Sequence, residues 1–139
     1  MITMAELLKG NTLSSLDADV QKNLGILLER LNLIRNLWNK PMIVTSGFRS
    51  MLDHIRIYKE IAAKKGKPFK MSDVPMGSRH LYGMAADISD PTFELTAWCK
   101  LNNSKVLEDC QLWCEDDMTE TRLHLQIEAP ASGHRWFKP

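Results

Sequence analysis

The sequence lacks the features that mark several classes of protein. No apolar run approaches the roughly 20 residues that a membrane-spanning helix needs, and no charged and apolar leader precedes the first helical pattern. Lys and Arg number 18 against 17 Asp and Glu, so no overall field of one sign attracts nucleic acid or anionic lipid. We therefore expect neither a nucleic-acid nor a membrane partner, and recognition must come from a local site.

Cysteine is also scarce. Cys99, Cys110 and Cys114 are odd in number and have no CxxC spacing, which argues against a disulfide scaffold and a structural zinc knuckle. We expect three reduced residues that pack in the interior. There is no internal repeat, low-complexity segment or linker, and 139 residues with 44% hydrophobic content fit one globular domain.

Apolar residues at helical spacing predict most of the chain's regular structure. The clearest helix runs from Leu16 to Lys40, with acidic residues at its positive N-terminal end and Pro41 after its last turn. A solvated, Lys-rich loop over residues 64–70 separates the third predicted helix from the next motif. The predicted helices are a short one in MAELLKG, then Leu16 to Lys40, Met51 to Lys65, Thr92 to Leu101 and Lys105 to Cys110.

Four strands are predicted: PMIVTS from its β-branched residues, and GMAADIS, QLWCE and RLHLQI from the alternation of apolar and polar residues. Helices in residues 1–40 followed by a metal-binding core in residues 41–139 predict one α+β domain. Its N-terminal helices would pack on a small, mostly antiparallel sheet with an open polar face. The side chains predicted on that face are Asp87, Glu115, Arg122, His124 and Gln126.

The stretch SRHLYGMAADIS suggests what this polar face binds. His80 lies in a loop and Asp87 in the following strand, and Gly83 between them allows a turn that brings the two together. With His124 they form two histidines and a carboxylate, a set that can bind zinc and leave a fourth position for water. A nearby free carboxylate could accept a proton from that water and pass it to a leaving amine, and Glu115 is the best placed.

Three motifs together resemble the zinc D-alanyl-D-alanine carboxypeptidase family, which includes bacteriophage endolysins. TSGFRS at residues 45–50 is similar to the family's SGYRS-like turn, and SRHLYGMAAD at 78–87 fits SxHxxGxAxD. LHLQI supplies the later strand histidine, His124. The similarity spans roughly residue 41 to the C-terminus, and the tail HLQIEAPASGHRWFKP resembles the ends of small phage-encoded members.

The resemblance implies one zinc ion and the hydrolysis of a peptidoglycan stem peptide, either as a D-Ala-D-Ala carboxypeptidase or as an L-Ala-D-Glu endopeptidase. Arg49 would polarise the scissile carbonyl or stabilise its oxyanion, and Ser78 would contact substrate. Arg122 stands where relatives often carry Trp or His and would give a second positive contact. The implied zinc ligands are His80, Asp87 and His124.

The catalytic acid departs from the family pattern. Many members carry it three residues before the last histidine, where this chain has Thr121. Glu115, with Trp113 nearby, is similar in setting to the Glu of the related Hedgehog and lysostaphin-like folds, while Asp117 and Glu120 are rivals. The departure keeps open an alternative from another class, a zinc-stabilised binding module of the same fold that has lost hydrolysis.

Two further expectations complete the hypothesis. His54 lies in an amphipathic helix and His134 in a Gly-containing tail, so neither is expected to bind the metal. Without an export signal, we expect synthesis in the cytoplasm as a monomer. Action would follow on the cell wall after release, or in a virion, although an intracellular D-Ala-D-Ala hydrolase fits equally.

Overall fold

A five-stranded mixed sheet forms the centre of the computed structural model, which describes residues 1–138. Neighbouring strands pair antiparallel except β3 and β5, which run parallel. The observed architecture confirms the predicted α+β class with a mostly antiparallel sheet. In the spatial order β1-β2-β4-β3-β5, the strands are β1 (Val44–Ser46), β2 (Ala85–Ser89), β4 (Arg122–Gln126), β3 (Trp113–Glu115) and β5 (Trp136–Phe137).

The helices begin and end close to their predicted positions. Within residues 1–138 they are α1 (Met4–Leu8), α2 (Ala18–Trp38), α3 (Met51–Lys64) and α4 (Glu94–Asp109). The backbone leaves the helical conformation over residues 101–104, so α4 consists of two segments, as the two predicted helices implied. No helix in the described part of the chain is long and apolar enough to cross a membrane.

Helix α2 covers the apolar face of the sheet. Its fully buried residues recur every three or four positions, which places them on one side of the helix. Burying each of these side chains contributes about 1.5–3 kcal/mol relative to leaving it in water. They share the core with Ile88 of β2 and with Leu123 and Leu125 of β4, so the opposite face of the same strands is left for polar residues. The buried α2 residues are Leu24, Leu27, Leu31 and Ile34.

The sequence did not predict β5. This strand pairs with β3 through Cys114 and Trp136, and through Glu115 and Phe137. The indole N–H of Trp136 also donates to the hydroxyl of Ser104, which anchors the strand against α4. A strand of two residues is too short to show alternation, so the sequence pattern could not predict it. This strand places Phe137 on the polar side of the sheet.

The three cysteines are free and buried, as expected from their spacing. Burial raises the pKa of Cys99 to about 12 and the pKa of Cys114 well above its usual value. Burial also raises the pKa of Cys110. All three are therefore protonated, unreactive packing residues.

Gly47 allows a close approach between α1 and the segment that follows β1. The backbone N–H of Phe48 donates to the carbonyl of Leu7 at 2.7 Å. A Cβ on Gly47 would collide with that carbonyl oxygen and lie 2.8 Å from the Cα of Leu7. A residue without a side chain is therefore needed where α1 docks.

We predict that Gly47→Ala lowers the free energy of unfolding by about 1–3 kcal/mol, because the colliding atoms belong to the backbone and must shift. Gly25→Ala is the matched control, since Gly25 lies in α2 with open space around its Cβ position. That change should raise the free energy of unfolding by about 0.5–1 kcal/mol, as expected for Gly to Ala within a helix. Denaturant unfolding measures both values, and a Gly47→Ala protein as stable as the parent would contradict the packing described.

Candidate metal centre

Two neighbouring strands and the turn before one of them bring together the three predicted metal ligands. Asp87 on β2 stands directly opposite His124 on β4 in the register of the sheet. His80 belongs to the 3₁₀ turn Arg79–Tyr82 that leads into β2. One ligand atom of each residue lies within 4.8 Å of the others, and the exposed fractions of the residues are only 5–8%.

The turn that carries His80 depends on Gly83. Gly83 has a φ of 71°, in the left-handed region that favours glycine, and ends the turn. A Cβ there would lie 2.9 Å from the Cγ of Leu24 and 3.1 Å from the carbonyl oxygen of Val20, both in α2. The turn therefore lies directly against α2, and this contact fixes where His80 enters the site.

The distances among the three side chains suit a small divalent metal ion. His124 Nδ1 lies 2.9 Å from Asp87 Oδ1, and His80 Nε2 lies 3.3 Å from the same oxygen. Zinc bonds of about 2.0–2.1 Å to nitrogen and oxygen place tetrahedral ligand atoms about 3.3 Å apart. The donor set and its spacing therefore fit a metal ion with two imidazole ligands and one carboxylate ligand.

Hydrogen bonds behind the two histidines fix which ring nitrogen faces the site. The carbonyl oxygen of Gly47 can only accept, so His80 Nδ1 at 2.9 Å carries a proton and its Nε2 is left for a metal. Gln126 donates its amide N–H to the carbonyl of Glu128 at 2.7 Å, which turns its Oε1 towards His124 Nε2 at 2.9 Å. His124 therefore presents Nδ1, and Gln126 orients a ligand in the way that outer hydrogen bonds do at metal sites.

The electrostatics favour an ionised carboxylate at the centre. Burial alone would raise the pKa of Asp87, but hydrogen bonds from His124 and His80 outweigh burial and hold this pKa far below its usual range. Burial also opposes protonation of His124, whereas its hydrogen bond to Asp87 favours it, and the net effect raises the pKa of His124. Arg122 Nη1 adds a third positive contact, 3.2 Å from Asp87 Oδ1. The ionised, buried carboxylate is thus suited to a group that could hold a metal ion.

The three side chains lie in a cleft of about 480 Å³. The segments that contribute to it are the β1–α3 connection, α3, the loop before β2, strands β2, β3 and β4, and the C-terminal tail. Every residue predicted to act in the site lines this cleft. Those residues are Arg49, Ser78, His80, Asp87, Glu115, Arg122 and His124.

The position of Glu115 distinguishes it from the rival carboxylates. Glu115 follows Cys114, which pairs with Leu125, so Glu115 lies beside His124 across the two strands. Asp117 does not line the cleft; it accepts hydrogen bonds from the backbone and hydroxyl of Thr119, and these lower its pKa.

Glu120, the other rival carboxylate, and Thr121, the position that departs from the family pattern, do not line the cleft. Glu120 is exposed, and so is Thr121. Of the carboxylates considered, Glu115 alone shares the cleft with the metal ligands. Within residues 1–138, neither His54 nor His134 joins a metal-binding group, as expected.

Sequence reasoning gave no role to several contacts in the site. Gln126 was predicted on the polar face, and its position two residues after His124 was the available signal for a partner of that histidine. The Gly47 carbonyl and His80 are 33 residues apart in the sequence, so no local sequence pattern could predict their contact. Phe137 approaches His124 edge-on at 6.2 Å between ring centroids, through a strand that was not predicted.

Comparison with known proteins gives no independent identification. No protein-family model matches this chain, and no curated protein matches it significantly. The family resemblance therefore depends on the motifs TSGFRS, SRHLYGMAAD and LHLQI and on the site that they form.

We predict that the purified protein binds one zinc ion and that His80→Ala, Asp87→Ala and His124→Ala each abolish stoichiometric binding. Gln126→Leu should weaken zinc binding by about 10–100-fold, because His124 loses the partner that orients its ring. His134→Ala is the control, since this histidine is exposed and outside the group. Competition against a chromogenic chelator measures these affinities, and full zinc binding by the His80→Ala protein would contradict the site.

Proposed function

We propose that this protein is a zinc-dependent peptidase that hydrolyses peptidoglycan stem peptides, as bacteriophage endolysins do. One observation carries the proposal: a buried group of His80, Asp87 and His124 lies in a cleft that also holds Arg49 and Glu115. Metal ligands, a cation and a free carboxylate are parts that metal-assisted hydrolysis of an amide bond uses.

The charges around the cleft support a substrate that carries carboxylates. Arg49, Arg79, Arg122 and Lys138 line it, and the acidic residues of the lining are Asp87 and Glu115. Stem peptides of peptidoglycan carry free carboxylates at D-Glu and at the terminal D-Ala. The family resemblance implies two candidate bonds, the one between L-Ala and D-Glu and the one between the two D-Ala residues.

Arg49 would stabilise the negative charge that develops on the carbonyl oxygen. A bound zinc ion supplies Lewis-acid polarisation of the scissile carbonyl and lowers the pKa of a coordinated water. Burial lowers the pKa of Arg49, while nearby Asp87 opposes that effect, and a guanidinium stays protonated at neutral pH. A half-buried cation of this kind interacts more strongly with a developing oxyanion than an exposed one does.

Glu115 would carry the proton between water and the leaving group. In hydrolysis a water oxygen bonds to the carbonyl carbon while the C–N bond breaks, and the released amine needs a proton. Glu115 would accept that proton from the attacking water and donate it to the amine nitrogen. Its place beside His124, in the lining of the cleft, supports this role.

A non-catalytic zinc module of the same fold is the second candidate. The observation that favours it is the exposed Thr121, which stands where many family members carry their catalytic acid. In such a module the metal ion would only stabilise the fold. Products of hydrolysis separate the two candidates.

We predict that the zinc-loaded protein releases peptides from purified peptidoglycan, and that Glu115→Gln lowers kcat/KM by about 10²–10⁴-fold without reducing zinc content. Asp117→Asn and Glu120→Gln are the matched controls and should keep parental activity. Mass spectrometry of the fragments identifies the bond: cleavage between L-Ala and D-Glu defines an endopeptidase, and loss of one D-Ala defines a carboxypeptidase. No product from the zinc-loaded parent protein would refute the peptidase and favour the module.

A further inference from the structure

His54 is a polar residue that the proposed chemistry does not use, yet it is completely buried. Its exposed fraction is 0%, and it lies in the first turn of α3. It lies outside the metal-binding group, so ligation does not explain its burial. Its ring makes two hydrogen bonds: Nδ1 accepts from Arg49 Nη1 at 3.2 Å, and Nε2 donates to the carbonyl of Pro75 at 2.7 Å.

These two partners fix the protonation of the His54 ring. A guanidinium can only donate, so Nδ1 must present its lone pair to Arg49. A carbonyl oxygen can only accept, so Nε2 must carry the proton that points to Pro75. The ring is therefore neutral, in the Nε2–H tautomer, and its contact with Arg49 leaves the positive charge of the guanidinium uncancelled.

Arg49 depends on few contacts for its position. Nη2 donates to the hydroxyl of Ser46 at 2.9 Å, and Nη1 donates to His54. Its Nε is buried and has no hydrogen-bond partner within residues 1–138. In the same part of the chain no carboxylate forms an ion pair with Arg49, so two neutral side chains hold this cation in the cleft.

His54 also connects Arg49 to one wall of the cleft. Pro75, Gly77 and Ser78 line the cleft on the segment that leads into the His80 turn. The hydrogen bond from His54 to the Pro75 carbonyl joins this segment to α3. One ring thus touches both the cleft wall and the cation that faces the site.

We propose that His54 is a positioning residue, which holds the Arg49 guanidinium in its productive orientation as a neutral hydrogen-bond acceptor and ties it to the Pro75 wall. The inference rests on the proposed function, because the orientation of Arg49 affects the rate only if the protein is a hydrolase. It extends that function by one residue that never touches the substrate.

A pair of isosteric changes separates the two contacts of the ring. In His54→Asn the amide oxygen can take the place of Nδ1 and accept from Arg49, whereas the contact with Pro75 is lost. In His54→Gln the amide N–H can take the place of Nε2 and donate to Pro75, whereas the contact with Arg49 is lost. The proposal predicts that kcat falls about tenfold or more in the Gln variant and stays closer to the parental value in the Asn variant.

The Arg49→Ala background shows whether the effect passes through Arg49. There the difference in kcat between the Asn and Gln variants should disappear, because the group that His54 positions is gone. A purely structural role would give equal losses in the two variants, or the same difference in both backgrounds, and either result would overturn the proposal. Zinc content and thermal unfolding of each variant exclude a general loss of folding as the cause.

Nitrogen-15 NMR of the zinc-loaded parent protein gives a readout that does not require activity. The expected spectrum shows His54 with a protonated Nε2 and an unprotonated Nδ1, and shows slower rotation of the Arg49 guanidinium in the parent and Asn variant than in the Gln variant. The opposite tautomer would refute the contact itself.

If the parent protein hydrolyses nothing, the peptidase proposal fails, while these spectra still decide whether His54 holds Arg49. If it hydrolyses and the two variants behave alike, only the positioning role fails.

Discussion

The buried carboxylate of Asp87 is the constraint on which the site depends. Removing an ionised group from water costs several kcal/mol unless charges and hydrogen bonds compensate it. Here three donors converge on one oxygen, from His80, His124 and Arg122. Each donor comes from a position that the fold fixes separately: a turn packed on α2, the strand partner in the register of the sheet, and a residue two positions along that strand. A metal ion could take the place of the protons through which the two imidazole nitrogens contact the carboxylate.

The same dependence explains why two distant motifs occur together in the sequence. The carbonyl of Gly47 accepts from His80 Nδ1, and the backbone N–H of Arg49 donates to the carbonyl of His80 at 3.1 Å. The segment with the SGFR motif therefore contacts both the ring and the backbone carbonyl of His80. The same segment carries the Arg49 side chain into the cleft. Helix α1 packs against this segment and accepts a hydrogen bond from the backbone N–H of Phe48 at the carbonyl of Leu7, which stabilises the position of the segment. An N-terminal helix outside the cleft is thus linked, through consecutive backbone contacts, to the position of His80, a candidate metal ligand.

Periodicity predicted the parts of this protein that local physics determines. The apolar stripe of α2, the alternation in β2 and β4, and the break after Leu101 follow from neighbours within a few residues, and the structure confirms them. Alternation also placed Asp87 and His124 on the polar face, although strand order had to come from the structure. Strand β5 and the burial of His54 escaped prediction because they depend on long-range contacts. A histidine within an amphipathic helix gives no sign that its ring will meet an arginine and a carbonyl from two loops.

X-ray absorption spectroscopy at the zinc edge identifies the atoms around the metal in solution and so shows whether the cleft is the metal centre. We expect two imidazole nitrogens and oxygen donors at about 2.0–2.1 Å, with no sulfur, since all three cysteines are buried and protonated. One imidazole should disappear from the spectrum of any zinc that His80→Ala retains. Sulfur at about 2.3 Å, or a spectrum without imidazole scattering, would mean that the ion binds elsewhere and that the cleft is not a metal centre.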